Sequence, residues 1–320
     1  MPSVLYSIFS STGRAFYPEP TKPVLQATDS VVVEIRAASL NPVDYKLPKW
    51  FLHGRGVGLD FAGVVTQVSP DVKDFTVGDR VVGNTTGALA DHTVVKPNLI
   101  AKLPDELTFH EGAALPIAYL TGYQGLVRHG FEAGAKILVI GASGGCGTAA
   151  IQLAKALGAS EIVGVCSKKN EDFVKSVGAN RIIDYNTQTI EDGHAGHFDF
   201  VYDAATGSGA GEDYLDKAKA VLKDPSKHHV TLNGPPTLWI RRFSGFPRKD
   251  VSLILTEQNG ADLAKVVSLL VKTNQRPIID SVFPFTAQGI VDAFEKLQSR
   301  RAKGKIVIDI TNTTTDGAEQ

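Results

Sequence analysis

Between Ser30 and about Pro104 the apolar residues come in short β-branched runs, VVVEI (31–35), GVVTQV (63–68), RVVG (80–83) and HTVV (92–95), separated by Gly, Pro and Asp. Runs of that length with turn residues between them predict a compact all-β unit. Beyond Leu103 the pattern lengthens: KILVIGA, EIVGVC, FDFVYDA and HVTLNG are strand-like, and the first two lead into helical runs. Strand and helix in alternation predict a doubly wound parallel sheet. Ala150, Leu153, Ala154 and Leu157 recur at helical spacing, and Asn170 is placed to cap a short helix carrying Phe173, Val174 and Val177 that stops at Gly178. Two further helical patterns, Leu263, Val266, Val267, Leu270 and then Ile290, Phe294, Leu297, precede a last apolar strand, KIVIDI (305–310). Segments 186–197 and 236–250, rich in Gly, Pro, His and charge, read as long loops, and Thr311 to Gln320 as a polar tail.

The 320 residues leave room for about two domains at roughly 150 each. Thirty-three Lys plus Arg against 34 Asp plus Glu give a net charge of -1, so no global field selects nucleic acid or an anionic membrane. The basic and aromatic stretch Trp239 to Phe243, with Arg248 and Lys249, is accordingly read as a cleft-edge or subunit-contact loop. Two cysteines, Cys146 and Cys166, cannot form a disulfide framework and suit a reducing compartment. The N-terminus has no signal-peptide pattern and no apolar run approaches the ~20 residues of a membrane helix, so a cytoplasmic location is expected.

The 31 glycines concentrate one piece of chemistry in Lys136 to Ala159, KILVIGASGGCGTAAIQLAKALGA. A buried strand, a glycine-dense turn and an amphipathic helix follow one another there, with Ala142, Gly144 and Gly147 in an A-x-G-x-x-G arrangement. Such a turn brings backbone close to a pyrophosphate and aims a helix N-terminus at it. Ala142, Ser143, Gly144, Gly145, Cys146 and Gly147 are the candidate contacts. About 20 residues on, where NAD-binding chains place a carboxylate for the ribose hydroxyls, this chain has Ser167, Lys168, Lys169 and Asn170. A hydroxyl, two ammonium groups and an amide suit a 2'-phosphate, so NADPH is the expected cofactor.

Seven stretches in order, AASLNPVDYK (37–46), GLDFAGVV (58–65), VGDRVVG (77–83), LPDELTFHEGAALPIAYLTGYQGL (103–126), the glycine loop, GANRIIDY (178–185) and RAKGKIVIDI (301–310), resemble the medium-chain dehydrogenase/reductase superfamily. Within it they are most similar to the zinc-free quinone oxidoreductase-like and enone reductase-like enzymes. The resemblance implies an α/β fold: a Rossmann doubly wound parallel-sheet domain (119–257) inserted into a β-rich, GroES-like catalytic domain (1–118 plus 258–320), with the active site in the cleft. Zinc-dependent relatives have Cys where this chain has Asn41 and Gly-His-Glu where it has Gly58, Leu59 and Asp60. Catalytic zinc takes about three protein ligands, so losing the two strongest makes a metal site improbable. His194 and His197, spaced three apart in a Gly-rich stretch, read as surface histidines.

Without a metal the cofactor carries the reaction. The resemblance implies that Asn41 and Lys46 hold the nicotinamide ribose and orient substrate, with Lys46 or Tyr45 offsetting charge on the substrate oxygen. It also places Thr121 near the nicotinamide, Tyr185 near the adenosine phosphate, and Gly234 at a strand end facing the cofactor. Arg300, Arg301 and Lys303 are possible additions of charge at the 2'-phosphate, while Asp44 and Asp60 read as supports of a turn and of the fold. The expected protein is an NADPH-dependent quinone oxidoreductase acting by two-electron hydride transfer without zinc or flavin. An NADPH-dependent reductase of the C=C bond of α,β-unsaturated carbonyls is the alternative. A non-catalytic NADPH-binding sensor, or an RNA-binding or crystallin-like protein, is the alternative of another class. The expected partners are a small quinone or enone and a second copy of the chain, with no membrane partner and nucleic acid disfavoured.

Overall fold

The structure, a computed structural model, describes residues 3–6, 14–17, 25, 28–46, 53–208 and 211–311. Residues 47–52, and 312–320 of the polar tail, lie outside the described residues. The chain divides into two units, Met1–Ile117 with Gln258–Val271 and Arg276–Gln320, and Ala118–Glu257 with Lys272–Gln275.

The first unit opens with β1 (Ser3–Tyr6), β2 (Arg14–Tyr17) and β3 (Val31–Leu40), then a single helical turn α1 (Val43–Lys46). After β4 (Asp60–Val68), β5 (Arg80–Asn84), β6 (His92–Val95) and β7 (Ile100–Lys102) comes α2 (Phe109–Ala113). Helix α3 (Pro116–Val127) starts in the first unit and runs into the second, which holds β8 (Lys136–Ile140), α4 (Gly145–Ala156), β9 (Glu161–Cys166), α5 (Glu171–Val177), β10 (Arg181–Asp184) and β11 (Phe200–Asp203). The second unit ends with α6 (Lys217–Val221), β12 (His229–Thr231), α7 (Pro236–Phe243) and β13 (Ser252–Leu253). The chain then returns to the first unit through α8 (Gly260–Lys272), β14 (Ile279–Pro284), α9 (Ala287–Gln298) and β15 (Lys305–Asp309).

In the first unit the strand order is β14-β15-β3-β4-β5-β7, with β6 also paired to β3. Strand β3 is central and buried along most of its length, which is why VVVEIRAASL is nearly continuously apolar instead of alternating. Val31, Val33, Ile35, Phe61, Val65, Ile306, Ile308 and Phe294 pack one core, each large side chain contributing ~1.5–3 kcal/mol on burial. Strand β15 pairs antiparallel with β3, Ile306 opposite Leu40 and Asp309 opposite Ala37, so segments some 265 residues apart in sequence are adjacent in one sheet. Two short helices begin on side-chain caps: Thr108 and Glu111 form a reciprocal capping box at α2, and Thr286 accepts from the Gly289 N–H at α9.

The second unit is a six-stranded sheet in the order β10-β9-β8-β11-β12-β13, every adjacent pair parallel. This is the doubly wound order, with its reversal point between β8 and β11. Helix α4 buries an unbroken run from Gly147 to Ala154, more than one face. The segment read from sequence as a loop over 236–250 instead opens with α7. Pro236 supplies a preset φ at the helix start, and Leu238 with Trp239 seats against Leu215, Val251 and Leu253. Only Leu238 and Trp239 of its own residues anchor this helix, so its composition looks loop-like.

Gly63 sits where β3 and β4 shift register, and a Cβ there would strike the Glu34 carbonyl. Gly63→Ala is therefore expected to cost ~1–3 kcal/mol, read as a lower urea midpoint at unchanged slope. A midpoint equal to wild type would show that the strands can part without cost.

Candidate active site and dinucleotide cradle

In the second unit the candidate cofactor residues gather at the C-terminal ends of the parallel strands, the ligand side of such sheets. The β8–α4 turn carries Ala142 to Gly144, Gly145 to Gly147 open α4, and Ser167 to Asn170 follow β9. Tyr185 follows β10 and is 55% exposed, and Gly234 follows β12. Gly144 and Gly147 have different tasks. A Cβ on Gly147 would collide with the Gly141 carbonyl, so its task is close packing of α4 on the turn. A Cβ on Gly144 would meet nothing nearer than 3.6 Å, so this position faces open space. The turn is tied to the β9 end by the Asn170 amide, which donates to Ser143 Oγ at 3.2 Å. Asn170 does occupy the N-cap of the helical run 171–177, but its side chain is spent on Ser143 and makes no cap bond.

Ser167 Oγ is buried with no hydrogen-bond partner among the described residues. An orphaned hydroxyl beside an open glycine turn and the first turn of α4 fits a phosphate-bearing dinucleotide. The basic character expected here is weaker than the sequence implied. Lys168 forms an ion pair with Glu171, which also holds Lys175 at 2.8 Å, and the two ammonium groups press the Glu171 carboxyl down to about 2. Lys169 is exposed and forms no ion pair among the described residues. Cys166 is buried, and burial pushes its thiol up to about 11, so it is not a thiolate near neutrality. Cys146 is half-buried at the start of α4. Thr121 is buried and shares a 2.5 Å hydrogen bond with Thr256.

In the first unit the segment Asn41 to Lys46 rests on a buried polar cluster that sequence reasoning found only in part. Lys305, 4% exposed, donates to Leu40 O at 3.0 Å, Asn41 Oδ1 at 2.6 Å and Asp60 Oδ2 at 3.2 Å. Asp60 also accepts from Ser39 Oγ, Asn41 Nδ2, Asn84 Nδ2 and the Ile117 N–H, all within 3.1 Å. Both ends of the Asn41 amide are thus engaged internally. Asp44 Oδ2 accepts the Asn41 N–H at 2.7 Å, closing α1 on its own first residue, as a turn support does. Burial raises the Asp44 carboxyl to about 7; Asp60 adds to this, while the Asn41 N–H, Lys305 and Arg14 oppose it. Tyr45 is half-buried against the first-unit core and Lys46 is exposed. Nothing in the sequence marks Lys305: a lysine opening an apolar strand reads as solvated.

This cluster does not fit a metal. The two oxygen-bearing side chains at the positions corresponding to metal ligands, Asn41 and Asp60, already grip an ammonium ion, and Leu59 offers no donor. His194 and His197 are engaged with Arg181 at 2.8 Å and Glu161 at 2.6 Å. Among the described residues no three His, Cys, Asp or Glu side chains are grouped to hold a metal, and no helix is long and apolar enough to cross a membrane.

Two domain families match the chain, an alcohol dehydrogenase GroES-like domain over residues 27–105 and a zinc-binding dehydrogenase domain over 177–308. The 2-methylene-furan-3-one reductase of Solanum lycopersicum is 38% identical over 297 residues, 88% of this chain and 71% of the relative. The NADPH-dependent alkenal/one oxidoreductase of Arabidopsis thaliana chloroplasts is 34% identical over 88% of this chain and 72% of its own. A chloroplastic quinone-oxidoreductase homolog of Spinacia oleracea is 32% identical over 88% and 90%. The quinone oxidoreductase of Coxiella burnetii has the same fold, with TM-score 0.79 at 24% identity over 97% of this chain and 99% of that one. An oxidoreductase built from a GroES-like and a Rossmann-like unit is thereby defined. The chain belongs to the medium-chain dehydrogenase/reductase family, in its zinc-free quinone and enone oxidoreductase-like branch, whose cofactor is a nicotinamide dinucleotide.

The two glycines separate binding from folding. Gly144→Ala is expected to melt with wild type yet bind the nicotinamide dinucleotide at least ~10-fold more weakly, a loss of about 1.4 kcal/mol. Gly147→Ala is expected to lower Tm as well; equal melting of the two variants would sink this division. Asp44 gives a pH signature. The folded protein keeps its proton up to about 7 while the unfolded chain releases it near 3.8, so its stabilising contribution is full below pH 3.8 and is lost as pH rises to about 7. In urea unfolding, the stability of Asp44→Asn relative to wild type is expected to rise by about 2–3 kcal/mol between pH 5 and pH 8. A constant gap would show that Asp44 is ionised throughout.

Proposed function

We propose that the protein is an NADPH-dependent reductase of conjugated carbonyl compounds, delivering two electrons as hydride to a quinone or to the C=C bond of an enone, without zinc or flavin. The observation that carries this reading is an open dinucleotide cradle in a chain whose other polar cluster is closed around an internal ammonium instead of a metal. When bound, the dihydronicotinamide supplies the hydride. The chain's own task is then to offset the negative charge arriving on the acceptor oxygen. We assign that to Lys46, the exposed cation of α1, with Asn41 as the fixed base of the turn and Tyr45 as packing beside it.

The preference for NADPH is supported by the absence of a carboxylate at the end of β9, by the buried, unpartnered Ser167 hydroxyl, and by the exposed Lys169. Thr121, Tyr185 and Gly234 are assigned to the cofactor on the resemblance. Relatives named for enones and for quinones both lie between 32% and 38% identity, so both acceptors stand. We also infer a homodimer in the cytosol. Strand β13 is the open edge of its sheet, and Ile240, Phe243 and Phe246 of the adjoining segment are 65–76% exposed, an apolar surface suited to a second copy. Light scattering at micromolar concentration tests this, and a monomer mass refutes it.

Oxidation of NADPH against 1,4-benzoquinone, 9,10-phenanthrenequinone and a short-chain enone is the deciding assay. Turnover on at least one is expected, with kcat/KM higher for NADPH than for NADH. An equal or better value with NADH overturns the cofactor assignment, and inactivity on the whole panel overturns the reading. Lys46→Ala is expected to lower kcat at least ~10-fold, about 1.4 kcal/mol in the barrier. Unchanged turnover removes its role.

A further inference from the structure

A buried lysine is the costliest cation a fold can carry, because its stem and ammonium must both leave water. Lys305 is 4% exposed and opens β15, at the far end of the chain from the segment it holds. Its three acceptors are the carbonyl of Leu40, the amide oxygen of Asn41 and the carboxylate of Asp60. The first two are the last residue of β3 and the residue before the turn that ends in Tyr45 and Lys46. Within the turn, the Asp44 and Lys46 N–H groups donate to Asn41 O and Pro42 O, so its orientation is set by where residues 41 and 42 are fixed. A salt bridge that served stability alone would need only Asp60. The bonds to Leu40 and Asn41 direct the same ammonium at the root of the turn.

We propose that the Lys305–Asp60 pair is a positioning device for the Asn41–Lys46 turn, gripping Asn41 from both ends of its amide so that Lys46 is presented in one orientation. The inference rests on the reading of that turn as part of the reductase site. Lys305 and Asp60 touch no reacting atom in this scheme; they act through Asn41. Their removal lowers the fraction of time the turn is formed, and so lowers kcat, while the glycine cradle of the other unit keeps its affinity for the dinucleotide.

The test compares Lys305→Met with the double variant Lys305→Met/Asp60→Asn. The single change strands a buried carboxylate and is expected to lower Tm markedly, whereas the double change removes both charges and is expected to restore most of it. In the restored double variant, hydrogen exchange at the amides of Asp44 and Lys46, normalised to intrinsic rates, is expected to be at least ~10-fold faster than in wild type. Its kcat with NADPH is expected to fall at least ~10-fold while the Kd for NADPH moves less than ~3-fold. Wild-type protection and wild-type kcat in a folded double variant would overturn the proposal. If the double variant does not fold, Asn41→Ala carries the same exchange measurement, and unchanged protection there overturns it equally. Absence of turnover by the wild-type enzyme would sink the reductase reading alone, since the exchange measurement is independent of activity.

Discussion

One buried ion pair, Lys305 with Asp60, decides how the first unit is put together. Desolvating two charges is recovered only if every donor and acceptor is met, and here the carboxylate takes bonds from Ser39, Asn41, Asn84, Ile117 and Lys305. Those partners come from β3 and the residue after it, β5, the start of α3 and β15, and with β4, which carries Asp60 itself, they make five segments. The fold must therefore bring five chain segments into register before the charges are compensated. The β15–β3 pairing does so by placing Ile306 opposite Leu40. A slip of one residue along β3 would move Lys305 off its acceptors and turn the apolar face of the strand over.

The second unit solves the opposite problem, leaving room instead of filling it. Its cradle is made by backbone: Gly147 lets α4 lie against the turn, and Gly144 leaves the space in front of it empty. Side chains enter only to brace it, as when Asn170 ties the β9 end to Ser143. Such a site tolerates little added volume and requires little specific chemistry. That is why the same turn serves many reactions, and why the reaction is decided elsewhere in the chain.

This difference explains what could be read from the sequence. Strand 92–95, the helix ending at Gly178, and the glycine turn each carry their signal in a short local run of residues, and the structure has them where that pattern put them. Helix α7 was hidden because its burial rests on Leu238 and Trp239 amid polar and aromatic neighbours that stay in solvent. The role of Asp44 as a turn support was legible, since the acceptor and the N–H it serves are three residues apart. Lys305 was not, because its partners lie up to 265 residues away and nothing local distinguishes it from a surface lysine. The electrostatics after β9 were only partly read, for a local reason: Glu171, three residues beyond Lys168, pairs with it and takes up part of the charge.

Two lysines of the first unit have opposite environments, and the proposed duties differ accordingly. Lys46 is exposed, as the role proposed for it requires. Lys305, sealed from water, keeps a fixed charge whose field is little screened and whose three bonds leave it nothing to offer a ligand. Exchanging their environments would serve neither role: a buried Lys46 could not meet substrate, and an exposed Lys305 could not hold Asn41 against solvent competition. A cation fixed within the chain also performs one duty of a structural metal, gathering oxygen ligands from distant segments, without offering an open coordination site. On the proposed reading, charge developing on substrate is then met by side chains and the redox chemistry by the cofactor.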